Sequence, residues 1–297
     1  VEVVAGKAGR VESVAAQGAT VGVGAVVGRI EFVASDGRNR NEVESPEAPP
    51  SQTVGFEGTH SRDEQREELS TLRQTIARRL VEAQHTTASL TTFNEIDMTA
   101  VMTLREKYKE VFEKRHGVGL GLLAFFARAV ICAFKTVPQL NWTLDGNTLI
   151  KRSAVHLGIA VSTDRGLMVP VIRHAELLSM AQIESAIKQL VSKAREGKMA
   201  VDDLIGGTFT ITNGGVFGSL LSTPILNPPQ AGILGMHKIE KRAVVVESGR
   251  GDAVVVRSMM YVALTYDHRL VDGEQAVTFL VKVKEALEEP GRMLLEV

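Results

Sequence analysis

The chain has 297 residues, is 44% hydrophobic and 23% charged, and carries a formal net charge of −1. Those values suit a globular protein of one large domain, or one domain and a smaller piece. The charge argues against a nucleic-acid partner gripped through many phosphates. Cys132, the single cysteine, excludes an intramolecular disulfide and fits a reducing compartment, and no Cys and His spacing suggests zinc. The longest apolar run, Val118 to Phe134, contains Arg128 and falls short of the roughly 20 residues a membrane span needs. A buried core helix is the better reading, with no membrane partner. The sequence starts at Val1 without a signal or transit segment, so a processed or partial chain is expected.

Residues 1–33 are rich in Val, Ala and Gly, with short alternating apolar runs, and predict small β-structure that is part of a domain. Residues 34–61 are polar, carry Pro46, Pro49 and Pro50, and lack periodicity, as a mobile linker would. A helical stripe follows at Leu69, Leu72, Ile76, Leu80 and Ala83. Thr99 can cap a second helix bearing Leu104, Tyr108 and Phe112. The Val118–Phe134 segment predicts a third, stopped by Pro138. His156 to Ser162 and Leu167 to Ile172 read as a hairpin turned at residues 163–166. Ser179 with Gln182 forms a capping box for a helix ended by Gly197. Strands are expected at 208–213, 230–236, 241–247 and 253–266, then a last helix with Ala276, Leu280, Val283 and Leu287. The irregular mixture favours an α+β fold, a mixed sheet with helices on one side, over a doubly wound one.

Two segments carry chemistry. His268 ends an apolar strand, and Asp272 follows at the mouth of the final helix; an imidazole is the side chain best suited to move a proton near neutral pH. Asp272 with Gln275 also makes a plain helix cap. The strand Thr208-Phe209-Thr210-Ile211-Thr212-Asn213 places three threonines on one face and runs into Asn213-Gly214-Gly215. A threonine hydroxyl at such a strand end can donate to a developing oxyanion, or it can simply line a strand. The Asn-Gly-Gly run lacks the spacing of a phosphate loop.

Together, Tyr266-Asp267-His268-Arg269-Leu270-Val271-Asp272-Gly273 and Gly207 to Gly218 resemble the signatures of the dihydrolipoamide acyltransferases, core subunits of the 2-oxo acid dehydrogenase complexes. Arg165 to Ile172 and Asn227-Pro228-Pro229-Gln230 extend the resemblance over most of 62–297. Leu90 to Met98, Val216 to Pro224 and Leu234-Gly235-Met236-His237 are similar to the succinyl type, which serves the 2-oxoglutarate dehydrogenase complex of the tricarboxylic acid cycle. The resemblance implies a chloramphenicol-acetyltransferase-like catalytic domain over 62–297. It implies trimers with the site between subunits, building a larger core of about 24, partnered by 2-oxoglutarate dehydrogenase and dihydrolipoamide dehydrogenase. CoA is then a substrate and lipoate the acyl carrier. His268 becomes the general base, Thr212 the oxyanion donor from a neighbouring subunit, and Asp272 an orienting acid. Ser219 and His237 are candidates for the succinyl carboxylate, core packing being the other reading of His237. Residues 1–33 resemble the C-terminal half of a lipoyl domain. The lysine that carries lipoate would precede Val1, and Lys7 is not in its position. No subunit-binding domain is visible in 34–61, which points to the mitochondrial matrix, with a bacterial cytoplasm next. A structural scaffold core, or transfer of an acetyl or branched-chain group, are the competing functions.

Overall fold

In the computed structural model the chain divides into two compact units, Val1–Arg66 and Glu67–Val297. The structure describes residues 10–13, 28–31, 65, 67–164, 166–249 and 251–295. In the first unit β1 (Arg10–Ser13) pairs antiparallel with β2 (Gly28–Glu31). The expected linker 34–61, and the remainder of the half lipoyl domain, lie outside the described residues.

The second unit runs α1 (Thr71–Thr86), β3 (Ser89–Asp97), α2 (Thr99–His116), α3 (Leu122–Phe134), β4 (Thr143–Asp145), β5 (Thr148–Ile150), β6 (Leu157–Ile159), β7 (Val161–Thr163), β8 (Gly166–Met168) and β9 (Val171–Ile172). It continues through α4 (Met180–Arg195), β10 (Phe209–Asn213), β11 (Gly232–Ser248), β12 (Gly251–Asp267), α5 (Gly273–Glu288) and α6 (Pro290–Leu295). Six strands form one mixed sheet in the order β3-β12-β11-β10-β6-β9. β10 runs parallel to both neighbours and the other pairings are antiparallel. α3 and α5 pack on one face, giving the α+β arrangement of helices on one side of a mixed sheet. The core fills that layer: Phe209 of β10 meets Phe134 of α3 edge-on at 5.3 Å and Phe279 of α5 at 5.7 Å, all three buried.

Local chemistry sets several boundaries. α4 begins at the Ser179–Gln182 capping box. α3 starts four residues later than its apolar run, because the Glu184 carboxylate accepts the Gly121 N–H at 2.8 Å and ends the extended segment there. Thr99 is the first helical residue of α2 rather than its cap. Asp97 Oδ1 takes the Thr99 N–H at 2.9 Å, and the Thr99 hydroxyl accepts from Ser258 N. The stripe on α1 is poorly buried within this chain. Among the described residues Ala83 is buried and Ile76 half-buried, while Leu72, Leu80 and Val81 are exposed.

The expected hairpin at 156–172 is present in one register: β7 pairs with β8 at its tip and β6 with β9 at its base, where β6 also pairs with β10 and so ties the hairpin to the main sheet. The expected strands at 230–236 and 241–247 form one strand, β11, with a register shift between Met236 and Ile239. That shift accommodates a buried His237 without ending the strand. The β11–β12 ribbon outruns β3, whose last pair is Asp97 with Met259. From Lys241 opposite Ser258 to Ser248 opposite Gly251 it is two-stranded, with Val245, Val254 and Val256 exposed on one face.

Candidate active site

β12 carries the chain to His268, in the turn before α5. The turn is fixed by its backbone: His268 N donates to Ala88 O at 2.9 Å, and Leu270 N and Val271 N both donate to Asp267 O. The exposed imidazole opens onto a cleft lined by Gln84, Thr87, Ala88, Ser89 and Leu90, where α1 passes into β3. The Tyr266 ring stands 5.7 Å from it, centroid to centroid. Burial raises the pKa of the Tyr266 hydroxyl above its ordinary value, and the negative charge of Asp272 adds to this. Asp272 itself caps α5. Its Oδ1 accepts Gln275 N at 2.8 Å, and its N–H donates to Gln275 Oε1 at 3.1 Å. Among the described residues no hydrogen bond reaches the His268 ring.

Asp267, which sequence reasoning passed over, is only 3% exposed. It forms a two-pronged pair with Arg269: Nη2 lies 2.6 Å from Oδ2 and Nε 3.0 Å from Oδ1. Oδ1 also accepts Arg269 N at 3.1 Å and Ala88 N at 3.3 Å. Burial alone would raise its pKa. The hydrogen bonds and charge of Arg269, with the Ala88 N–H, outweigh that and hold the carboxyl below its ordinary value. The triplet Asp-His-Arg was the available signal, since opposite charges flank the histidine.

Thr212 is half-buried near the end of β10. The ladder sets it across from Gly235, and Gly235 across from Ala263, five residues short of His268. At about 3.3 Å per residue and 4.8 Å per strand, the two lie roughly 19 Å apart within one chain. A base and an oxyanion donor serving one thioester must each stand about 3 Å from the reacting atoms. One copy of the chain does not bring them together.

His237 is 1% exposed. Its Nδ1 faces the Tyr261 carbonyl at 3.0 Å, which can only accept, so Nδ1 carries the proton. Nε2 is then an acceptor for the Ser222 hydroxyl at 2.9 Å. Both nitrogens are engaged, and the residue ties β11 to the loop after β10. Ser219 begins the neighbouring part of that loop: its N–H donates to Gly214 O, and its carbonyl accepts Lys238 N. Gly215 lets the loop approach. A Cβ there would lie 2.3 Å from the His237 carbonyl carbon. Ser222 was visible only as part of a stretch, because its partner is 15 residues away.

The family model for the 2-oxoacid dehydrogenases acyltransferase catalytic domain matches residues 61–295. The chain belongs to this family. Among curated relatives, the dihydrolipoyllysine-residue succinyltransferase component of the 2-oxoglutarate dehydrogenase complex of Bartonella vinsonii subsp. berkhoffii is 58% identical over 233 residues. The match covers 78% of this chain and 56% of that protein, so the chain spans little more than half its relative's length. Among solved structures, the dihydrolipoamide acetyltransferase of Azotobacter vinelandii is 31% identical with a TM-score of 0.74, covering 84% of this chain and 99% of that one. The cubic core of the pyruvate dehydrogenase multienzyme complex gives the same identity, TM-score and coverage. The family fold is therefore that of the second unit, and the His268 turn and the end of β10 are features of an acyltransferase catalytic domain.

Proposed function

We propose that the chain is the catalytic part of a succinyltransferase that moves a succinyl group between dihydrolipoamide and CoA. The observation that carries the choice of acyl group is the 58% identity to a succinyltransferase, against 31% and 34% to two acetyltransferases of solved structure.

In this reading the His268 imidazole takes the proton of the attacking thiol; an ordinary thiol pKa near 8.5 is about two units above that of a model imidazole, so the transfer is within reach of this residue type. The thiolate sulfur adds to the thioester carbonyl, and Thr212 of a neighbouring copy donates to the tetrahedral oxyanion. Collapse expels the second thiolate, which recovers the proton from the imidazolium. The separation of roughly 19 Å within one chain supports sharing of the site between copies. The roles of a serine, a histidine and an asparagine in the mechanism were the subject of work on the Azotobacter enzyme, the asparagine four positions beyond the histidine. Asp272 stands at that spacing from His268. As the cap of α5 it orients the turn and transfers no proton. In this reading Ser219 meets the succinyl carboxylate, and the Ser222–His237 hydrogen bond supports that loop.

The exposed apolar residues of α1 support burial against further copies, and the cubic core of a relative supports a trimer-based assembly of about 24 subunits. 2-Oxoglutarate dehydrogenase and dihydrolipoamide dehydrogenase are the partners in this reading, with lipoate supplied by a lipoyl domain whose lysine lies outside this sequence. The curated relatives at 49–58% identity come from bacteria, which supports a bacterial cytoplasm over the mitochondrial matrix. The test is transfer from succinyl-CoA and from acetyl-CoA to free dihydrolipoamide. A succinyl preference that disappears in His268→Ala supports the reading. An acetyl preference discards the specificity, and unchanged transfer in His268→Ala discards the base.

A further inference from the structure

We propose that Asp267 is a positioning residue for proton transfer: its carboxylate fixes the His268 turn and cancels the charge that Arg269 would otherwise hold beside the imidazole. This rests on His268 as the base. The geometry is a staple across 179 residues of sequence. Asp267 Oδ1 takes the N–H of Ala88, while the carbonyl of Ala88 takes the N–H of His268. The same carboxylate closes the turn from the other side through the backbone and side chain of Arg269. The residues before and after the histidine are thus held by one group, and the histidine's own backbone is held by the segment that group grips.

Stability alone gives a weak reason for this arrangement. The Arg269 side chain is 46% exposed, and half-exposed ion pairs contribute little. Charge balance gives a stronger one. The cleft walls contributed by α1 and β3, Gln84, Thr87, Ala88, Ser89 and Leu90, are uncharged. Among the described residues, the charged or titratable groups on the imidazole's own turn and strand are Asp267, Arg269, Asp272 and the Tyr266 hydroxyl. A guanidinium left alone there disfavours an imidazolium forming in the transition state, and a paired one does not.

The test measures succinyl transfer to free dihydrolipoamide across about pH 5.5 to 9, the range that spans an imidazole's titration. Wild type, Asp267→Asn, Asp267→Ala, Arg269→Gln, the Asp267→Asn/Arg269→Gln double variant and His268→Ala are compared in the assembled protein. Asp267→Asn leaves Arg269 uncompensated, so the acid limb of kcat/KM moves down by about half a pH unit. Arg269→Gln leaves the carboxylate and moves the limb up by a similar amount. Both shifts shrink in concentrated salt. The double variant returns the limb to its wild-type position. An asparagine Oδ1 still accepts the Ala88 and Arg269 N–H groups, so the staple is tested by Asp267→Ala, in which kcat falls about tenfold or more. Limbs that stay put in both single variants, or move in the same direction, overturn the proposal. If Asp267→Asn fails to assemble, the half-exposed Arg269→Gln decides alone, an upward shift supporting and an unmoved limb overturning. Retention of transfer by His268→Ala is a separate result that removes the base itself.

Discussion

Mixing two inactive variants should restore activity, and the amount follows from the sheet register. Thr212, Gly235 and Ala263 lie in one row across β10, β11 and β12, and His268 lies five residues further along. With a separation of roughly 19 Å, the proposed site would take His268 from one copy and Thr212 from the next. Alone, Thr212→Val should lose about 100- to 1,000-fold in kcat, as loss of one oxyanion donor does, and His268→Ala should be at least as impaired. When the two are co-expressed and assemble at random, a site is intact if its histidine comes from a Thr212→Val copy and its threonine from a His268→Ala copy. At equal proportions that is one half times one half, so about one quarter of wild-type activity returns. At a fraction f of either variant, recovery follows f(1 − f) and peaks at an equal mixture. The assay is the initial rate of succinyl transfer per subunit over a series of mixing ratios, with composition read by mass spectrometry. Activity that never exceeds the sum of the parents refutes the shared site.

Three further outcomes are expected. Asp272→Ala should lower stability by about 1 kcal/mol through loss of the α5 cap, whereas Asp272→Asn, an equally good cap, should not. A fall in kcat common to both would assign the carboxylate a catalytic orienting role that the cap does not explain. Burial raises the Glu184 carboxyl above its ordinary value of 4.5, with the N–H groups of Gly121 and Ala124 opposing the shift. Its contribution is therefore full below the unfolded value and is lost as pH rises through the folded one. Glu184→Gln removes that titration, so from about pH 4.5 upward the melting temperature of wild type should fall relative to the variant; parallel curves refute this. Gly215→Ala forces a methyl against the backbone of His237 and Lys238. It should cost about 1–3 kcal/mol and weaken the preference for succinyl over acetyl donors, with unchanged melting and selectivity as the contrary result.

How much of this was legible beforehand depended on how local the deciding interaction is. The capping boxes at Ser179–Gln182 and Asp272–Gln275 span three residues and were plain in the sequence. The two faces of β10 were legible too, but not their burial: Thr208 and Thr210 are as buried as Phe209 and Ile211. The start of α3 was misread because its terminator, Glu184, comes from a helix 63 residues away. β11 was read as two strands because a charged stretch, Lys238 to Arg242, hides a continuous ladder with one irregularity. The stripe on α1 was legible as a helix, yet the described residues leave Leu69, Leu72 and Leu80 exposed, and periodicity cannot name the molecule that buries a face. His268, Asp272 and the threonines of β10 stood out from their own segments, whereas the choice of Thr212 and the role of each came through a resemblance. Asp267 stood beside the histidine and went unread, because its significance lies in Ala88.

The ribbon of β11 and β12 bears on how the fold is reached. Its two strands are joined near Gly251, so their pairing can zip up from the tip with little loop-closure cost at each step. Every row that zips fixes the height of the next, down through the irregularity at Met236 and Ile239 to Gly232 opposite Tyr266. Both Gly235, which flanks Thr212, and the turn that holds His268 are therefore set by an element that forms from neighbours in sequence. The entropic cost of distant closure falls on β3, which must bring Ser89 to Asp267, and on β10. Folding can thus measure out the spacing of the catalytic elements before the rest of the sheet arrives to enclose them.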